Sequence, residues 1–170
     1  IVVNLQNTFL QCLTVDDLYT MWSSESEDKI NLWSQVRDEW PDQPLLLFGP
    51  GADSGTFDYF TKAINGEAQA SRGDFIASER DDVLVQGIAG EKNSLGYFGF
   101  SFFEENQDIL RAVPIEHGSG CVAPTRETIN NDTYHPLSRP LFIYVSKQSA
   151  QEPYVDQFVR FHLGELSQQL

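Results

Sequence analysis

The stretch from Leu45 to Thr56, Leu-Leu-Leu-Phe-Gly-Pro-Gly-Ala-Asp-Ser-Gly-Thr, constrains the fold more than any other part of the chain. Its apolar opening, Leu45 to Phe48, fits a strand buried on both faces, the environment of a sheet covered by helices on either side. Gly49-Pro50-Gly51-Ala52 then reads as a turn that cannot continue the strand. Beyond it Phe57, Phe60 and Ile64 recur at helical spacing until Asn65-Gly66 stops the pattern. Asp53 or Ser54 therefore caps a helix that follows directly on a buried strand.

The rest of the chain repeats this alternation. Ile1 to Leu5 reads as a buried strand, and Thr14-Val15-Asp16-Asp17 has the form of a capping box opening a helix with Leu18, Met21 and Trp22 on one face. Ser23 to Asp28 is a polar break, and Trp33, Val36 and Trp40 mark an amphipathic or irregular segment ending at Pro41. Glu67 to Ala77 reads as loop. Ser78 with Asp81 starts a helix through Val83, Leu84, Val85 and Ile88 that Gly90 ends. Leu95 to Phe103 reads as a strand whose Gly96 and Gly99 permit close backbone approach. A short polar helix is expected over Glu104 to Asp108, a strand over Leu110 to Ile115, a surface loop over Glu116 to Ala123 and a helical turn from Pro124-Thr125. Leu141 to Val145 is the clearest strand, and Tyr154, Phe158, Phe161, His162 and Leu166 stripe a final helix. Strands and helices alternating without an internal repeat give an α/β sheet covered by helices.

The bulk properties narrow the function. With 170 residues, 41% of them hydrophobic, the chain can bury a sizeable core. Its net charge of −14 opposes binding to nucleic acid and to anionic membrane surfaces, since both require phosphates to be neutralised. An anion site here would have to rest on local dipoles and hydrogen bonds. No apolar run approaches the roughly 18 residues that a membrane span needs, so a soluble chain is expected. The start at Ile1, without Met and in strand-like sequence, suggests a processed or truncated product. Cys12 and Cys121 are compatible either with a bridge formed in an oxidising compartment or with two buried thiols.

Ser54, Gly55 and Thr56 carry the chemistry. A helix start leaves backbone N–H groups unpaired and bears a partial positive charge; Ser54 and Thr56 add hydroxyls, and Gly55 lets a ligand approach the backbone. An ordinary N-cap would use the same residue types. Asp53-Ser54-Gly55-Thr56 matches the string of aspartic proteases, yet that chemistry needs two such carboxylates and the chain has one copy. Ala52 stands where a nucleophile elbow needs glycine, and no Lys follows the glycine as a nucleotide-binding loop requires. His117, His135 and His162 lack metal-ligand spacing. Glu104-Glu105 and Asp81-Asp82 read as solvated residues and a helix start, Arg139 as a hinge or surface residue, and Trp22, Trp33 and Trp40 as core or interface.

The string Gly-Pro-Gly-x-Asp-Ser-Gly-Thr-Phe-Asp-Tyr-Phe at 49–60 resembles the phosphate-specific substrate-binding proteins of ABC importers. Further segments agree in order, among them Cys12 to Leu18, Ser71-Arg72-Gly73-Asp74, Val83 to Gly87, Leu95 to Gly99 and Leu137 to Val145. The resemblance implies a periplasmic-binding-protein-like (type II) α/β lobe with a mixed sheet flanked by helices. Residues 1–140 would be the ligand-binding second lobe, and residues 141–170 a return strand and helix toward a first lobe whose N-terminal part precedes Ile1. It places Ser54, Gly55 and Thr56 on the family's phosphate-binding Ser-Gly-Thr. Many members carry an Arg four residues before that Ser, where this chain has Pro50. Arg72 is the replacement expected on the same cleft face, with Asp74 orienting it and Asp53 as a further neighbour.

The function so implied is non-covalent capture of inorganic phosphate outside the cytoplasmic membrane, in the periplasm or an equivalent compartment, for delivery to a membrane ABC permease. No cofactor, catalysis or nucleic acid is involved, and a membrane-anchored precursor fits the same picture. The alternative is an interaction or signalling module that keeps the binding-protein fold without a complete phosphate cleft. A hydrolase built on Ser54 finds no base or oxyanion partner in the sequence.

Overall fold

The computed structural model describes residues 1–118, 120–139 and 143–164. Strand β1 (Val2–Asn4) is followed by β2 (Leu13–Thr14) and helix α1 (Val15–Trp22). Thr14 and Asp17 close the expected capping box, each side chain accepting from the other's backbone N–H. After two short 3₁₀ turns comes β3 (Leu46–Pro50), then α2 (Gly55–Asn65), which Ser54 caps and left-handed Gly66 ends. Next come β4 (Ile76–Ser78), α3 (Asp81–Gly90), β5 (Ser94–Gly96) and α4 (Phe100–Glu104). The chain continues through β6 (Leu110–Ala112), β7 (Ile115–Glu116), β8 (Cys121–Val122), α5 (Arg126–Asn130) and α6 (Pro153–Leu163).

A mixed five-stranded sheet runs in the order β4-β3-β5-β1-β6, with β3 parallel to both β4 and β5 and β1 antiparallel to β5 and β6. Alternate side chains serve opposite faces of this sheet. Val3, Leu47 and Leu95 pack with Met21, Trp22, Phe57, Phe60 and Ile64 of α1 and α2, whereas Val2 and Phe48 pack with Leu84, Val85 and Ile88 of α3. Helices on both faces explain why Leu45 to Phe48 is continuously apolar. The close packing of α3 needs glycine at 96, since a Cβ there would stand 2.6 Å from the Phe48 carbonyl oxygen and 2.5 Å from Ile88 Cδ1. Trp22 and Trp33 are fully buried and Trp40 nearly so, in the core as expected. A small second sheet, β2-β7-β8, is tied by a disulfide between Cys12 and Cys121.

Several element boundaries differ from the sequence expectation. Gly49 and Pro50 continue β3 rather than turn. The Phe48 carbonyl accepts from the Tyr97 N–H, so by alternation Pro50 faces the side on which β5 has already ended, and its missing N–H breaks no ladder bond. Ile76 and Ala77 form an edge strand where a loop was expected, and Ser78 belongs to that strand, leaving Arg80 at the start of α3. The strand expected to Phe103 stops at Gly96. Its aromatic continuation turns helical after Gly99, letting Phe98 and Phe103 pack on the α3 side, and the helix expected over Glu104 to Asp108 ends at Glu104. The run Leu110 to Ile115 breaks at Pro114, where the chain passes from the β1 ladder to the β2 ladder. Part of the loop expected over Glu116 to Ala123 is β8, paired with β7.

The chain divides after Ser138 into two units. In the second, Ile143 to Val145 lie in no regular element, because no described strand pairs with them; Leu141 and Phe142 of that expected strand lie outside the described residues, as does Leu166. Helix α6 carries Tyr154, Phe158, Phe161 and Leu163 exposed.

Candidate functional site

The start of α2 stands at the C-terminal end of β3, a central strand of the larger sheet. Ser54 adopts an extended cap conformation, its N–H donating to the Gly51 carbonyl at 3.1 Å and its carbonyl accepting from Asp58 N–H at 3.1 Å. Its hydroxyl oxygen accepts from Thr56 N–H at 3.2 Å. Ser54 is thus a true N-cap, and because the oxygen accepts, the hydroxyl hydrogen is left to donate elsewhere. Gly55 and Asp53 are exposed, and Ser54 and Thr56 half-buried. The dipole of this 11-residue helix points at an accessible mouth, where Thr56 N–H is given to the Ser54 hydroxyl oxygen and Asp58 N–H to the Ser54 carbonyl.

One residue at this mouth was missed from the sequence. In the parallel pairing of β3 with β4, Pro50 lies opposite Ser78, so the chain after Ser78 emerges beside Gly51. There the Glu79 carboxylate accepts from Asp53 N–H at 3.4 Å. The signal was a three-residue edge strand inside a polar stretch, too short to show a period of two.

Arg72 is not brought to this mouth, which corrects the expectation that it replaces the missing upstream Arg. Its backbone N–H donates to the Trp22 carbonyl at the end of α1, and the same carbonyl accepts from Asn65, the last residue of α2. Arg72 therefore sits at the end of α2 opposite Ser54, roughly 15 Å of helix away. It is 3% exposed, and its guanidinium donates to the carbonyls of Met21 and Ile30, to Asn31 and to both oxygens of Asp74. All five N–H groups are used. The hydrogen bonds from Arg72 hold the Asp74 carboxyl down at about 2. A cavity of about 290 Å³ borders this cluster, between Leu45 to Leu47 and Ile76, but its arginine has no donor left for an anion.

His117 and His135, far apart in sequence, meet with ring centroids 4.6 Å apart, and His135 Nδ1 lies 3.7 Å from Asp132. Among the described residues no group of three or more His, Cys, Asp or Glu could hold a metal ion, and no helix is long and apolar enough to cross a membrane. Glu104 pairs with Arg126 at 2.7 Å, and Asp82 with Arg80 at 2.5 Å, on exposed surface.

A family model described as a PBP superfamily domain matches residues 1–165. Protein SphX of Synechocystis is 49% identical over 168 residues, covering 98% of this chain and 50% of that protein. The phosphate-binding protein PstS of Staphylococcus haemolyticus is 34% identical over 169 residues, covering 97% of this chain and 50% of that protein. The chain thus spans about half the length of the curated relatives it matches. Among solved structures, a possible phosphate binding protein from Planctomyces limnophilus superposes with a TM-score of 0.84 at 48% identity, over 99% of this chain and 59% of that one. A substrate-binding protein from Clostridium perfringens with bound phosphate, 23% identical, shares the fold with a TM-score of 0.76, over 99% of this chain and 63% of that one.

Proposed function

The chain belongs to the PBP superfamily, and from that premise we propose that it holds inorganic phosphate, non-covalently, at the start of α2. It would do so as one lobe of an extracytoplasmic receptor that hands the ion to a membrane ABC permease. The observation that carries this reading is the accessible Ser54-Gly55-Thr56 helix mouth at the end of a central parallel strand. Backbone and hydroxyl donors gathered at a helix dipole suit a compact tetrahedral oxyanion. The relatives named as phosphate-binding proteins agree with that ligand and lend nothing to the signalling-module alternative.

Capture without chemistry fits the residues at hand. Ser54 spends its oxygen on capping its own helix, and among the described residues neither His nor Lys is bonded to it. Residues 1–140 would then form the ligand lobe and 141–170 the return toward a first lobe, the exposed Tyr154, Phe158 and Phe161 of α6 being suited to cover by it. The disulfide between Cys12 and Cys121 accords with an oxidising compartment.

Calorimetric titration of phosphate into the two-lobed protein tests the reading. Thr56→Ala removes one donor and should weaken binding by about 1 to 3 kcal/mol. Gly55→Val places a branched side chain on the mouth and should abolish measurable binding, with thermal melts reporting the fold. Unchanged affinity in both variants would leave α2 with an ordinary cap.

A further inference from the structure

We propose that Tyr59 is a positioning residue for phosphate capture: it fixes to α2 the point at which the chain leaves the first unit, so that the ion-holding helix and the hinge move as one body. The inference rests on the phosphate reading above and adds to it a residue whose hydroxyl does not touch the ion.

The first unit ends in a short segment, residues 134–138, that is pinned at both ends. At its start Tyr134 is 4% exposed, its hydroxyl donating to the Val113 carbonyl at 3.1 Å and its N–H to the Thr128 carbonyl at 2.9 Å. The Tyr134 carbonyl accepts from the N–H groups of Leu137 and Ser138 and from the Ser138 hydroxyl, winding the segment into one turn. The far end of that turn is held from α2. The Tyr59 hydroxyl donates to the Ser138 carbonyl at 2.5 Å and lies 2.9 Å from the Pro136 carbonyl, so that one O–H serves two acceptors. Arg139, the next residue, belongs to the second unit. Tyr59 therefore grips the backbone at the residue where the first unit ends.

Along its own helix Tyr59 also stands close to the proposed ion. It follows Gly55 by four residues and Thr56 by three, the spacings that share one face of a helix, and one turn separates them by about 5 Å of rise. The hydrogen-bonded turns of α2 make that link stiff. In a two-lobed receptor that closes around its ligand, a few residues of the connecting chain absorb the change in backbone dihedrals. With the Ser138 carbonyl fixed, that change is confined to the chain beyond it and closure has a defined path. Without the fixed carbonyl, residues 136–138 share the change. The closed arrangement is then selected from more conformations, at a cost in entropy that is subtracted from the affinity for the ion.

Calorimetric titration and stopped-flow kinetics of inorganic phosphate with the two-lobed protein test the role of Tyr59 through three variants. Tyr59→Phe keeps the ring and removes the O–H. Replacement of Tyr59 by para-aminophenylalanine restores N–H donors for the same two carbonyls. Ser94→Ala controls for stability alone: Ser94 is fully buried, and its hydroxyl likewise meets two carbonyls, those of Ile88 at 2.9 Å and Glu91 at 2.6 Å, at the end of α3. Tyr59→Phe and Ser94→Ala should both lower the melting temperature. Only Tyr59→Phe should weaken phosphate binding, by about fivefold and through faster release, the share of one neutral hydrogen bond. The amino variant should recover most of that loss. Unchanged affinity in Tyr59→Phe, an equal loss in Ser94→Ala, or an amino variant as weak as Tyr59→Phe would each overturn the role of Tyr59 and leave the phosphate reading standing. Phosphate binding that is absent from the parent, or indifferent to Thr56→Ala and Gly55→Val, would remove the phosphate reading and this inference with it.

Discussion

Ser54 to Thr56 and Ser71 to Asp74 are both sequence strings suited to an oxyanion, the first through hydroxyls and a helix start, the second through a guanidinium. In the fold they stand at opposite ends of α2 and in opposite electrostatic conditions. The guanidinium of Arg72 is sealed among carbonyls and a carboxylate, every donor used. The mouth at Ser54 is accessible, with a hydroxyl hydrogen to spare and the carboxylates of Asp53, Asp58 and Glu79 around it. An arginine is the stronger anion ligand in isolation, but a satisfied donor set has nothing left to give. What separates a site from a staple is the number of donors left over, and residue type does not record that.

The largest expected effect breaks the staple. Arg72→Ala should lower unfolding stability by about 3 to 5 kcal/mol, because it strands the Met21 and Ile30 carbonyls and leaves Asp74 without its partner. Arg72→Lys should recover only part, since an ammonium cannot span the same fork of acceptors. Urea denaturation followed by tryptophan fluorescence measures both, Trp22 lying beside the cluster. Loss of phosphate affinity with unchanged stability would instead move Arg72 into the binding site and undo the comparison.

A smaller effect is read from acid. The Asp74 carboxyl is lowered from 3.8 to about 2 by its bonds from Arg72. A depressed folded pKa means that the stabilisation is present above about pH 4 and is lost as pH falls from there toward 2. Because the Asp74 side chain is 26% exposed, solvent screening discounts the effect to about 1 kcal/mol. Stability followed against pH should therefore fall less steeply over that interval in Asp74→Asn than in the parent, after allowance for the variant's lower starting stability. Parallel curves would show that the pair does not titrate as its geometry implies.

The contrast also marks how far the sequence could be read. Local patterns came through where one short-range force decides: the Thr14 to Asp17 capping box, the apolar run entering β3, and the helix from Gly55 to Asn65 that Gly66 stops. They failed where a distant partner decides. Pro50 is tolerated in β3 because β5 has already ended beside it, a fact held 46 residues downstream at Gly96. Ile76 to Ser78 is a strand only because β3 offers an edge. Phe100 to Phe103 is aromatic as a strand would be, yet it coils to place Phe103 against α3. The site divides in the same way: the helix mouth is encoded by consecutive residues, whereas the burial of Arg72 and the arrival of Glu79 depend on which strands pair.

Ser54 offers the finest test of the open end, since it caps α2 and faces the proposed ligand with the same hydroxyl. Ser54→Ala should cost about 1 kcal/mol of stability, the usual loss of an N-cap, while Ser54→Gly should cost only a few tenths of a kcal/mol, because glycine caps helices nearly as well. Both remove the hydroxyl hydrogen. If Ser54 donates to phosphate, the two variants should lose affinity to the same extent, by about 1 kcal/mol, although their stabilities differ. If it serves only the helix, affinity should follow stability, with Ser54→Ala impaired and Ser54→Gly close to the parent. Thermal melts and phosphate titrations on the same two variants of the two-lobed protein separate these outcomes. Affinity loss that tracks the melting temperature would assign Ser54 to the helix alone and leave Thr56 and the backbone to hold the ion.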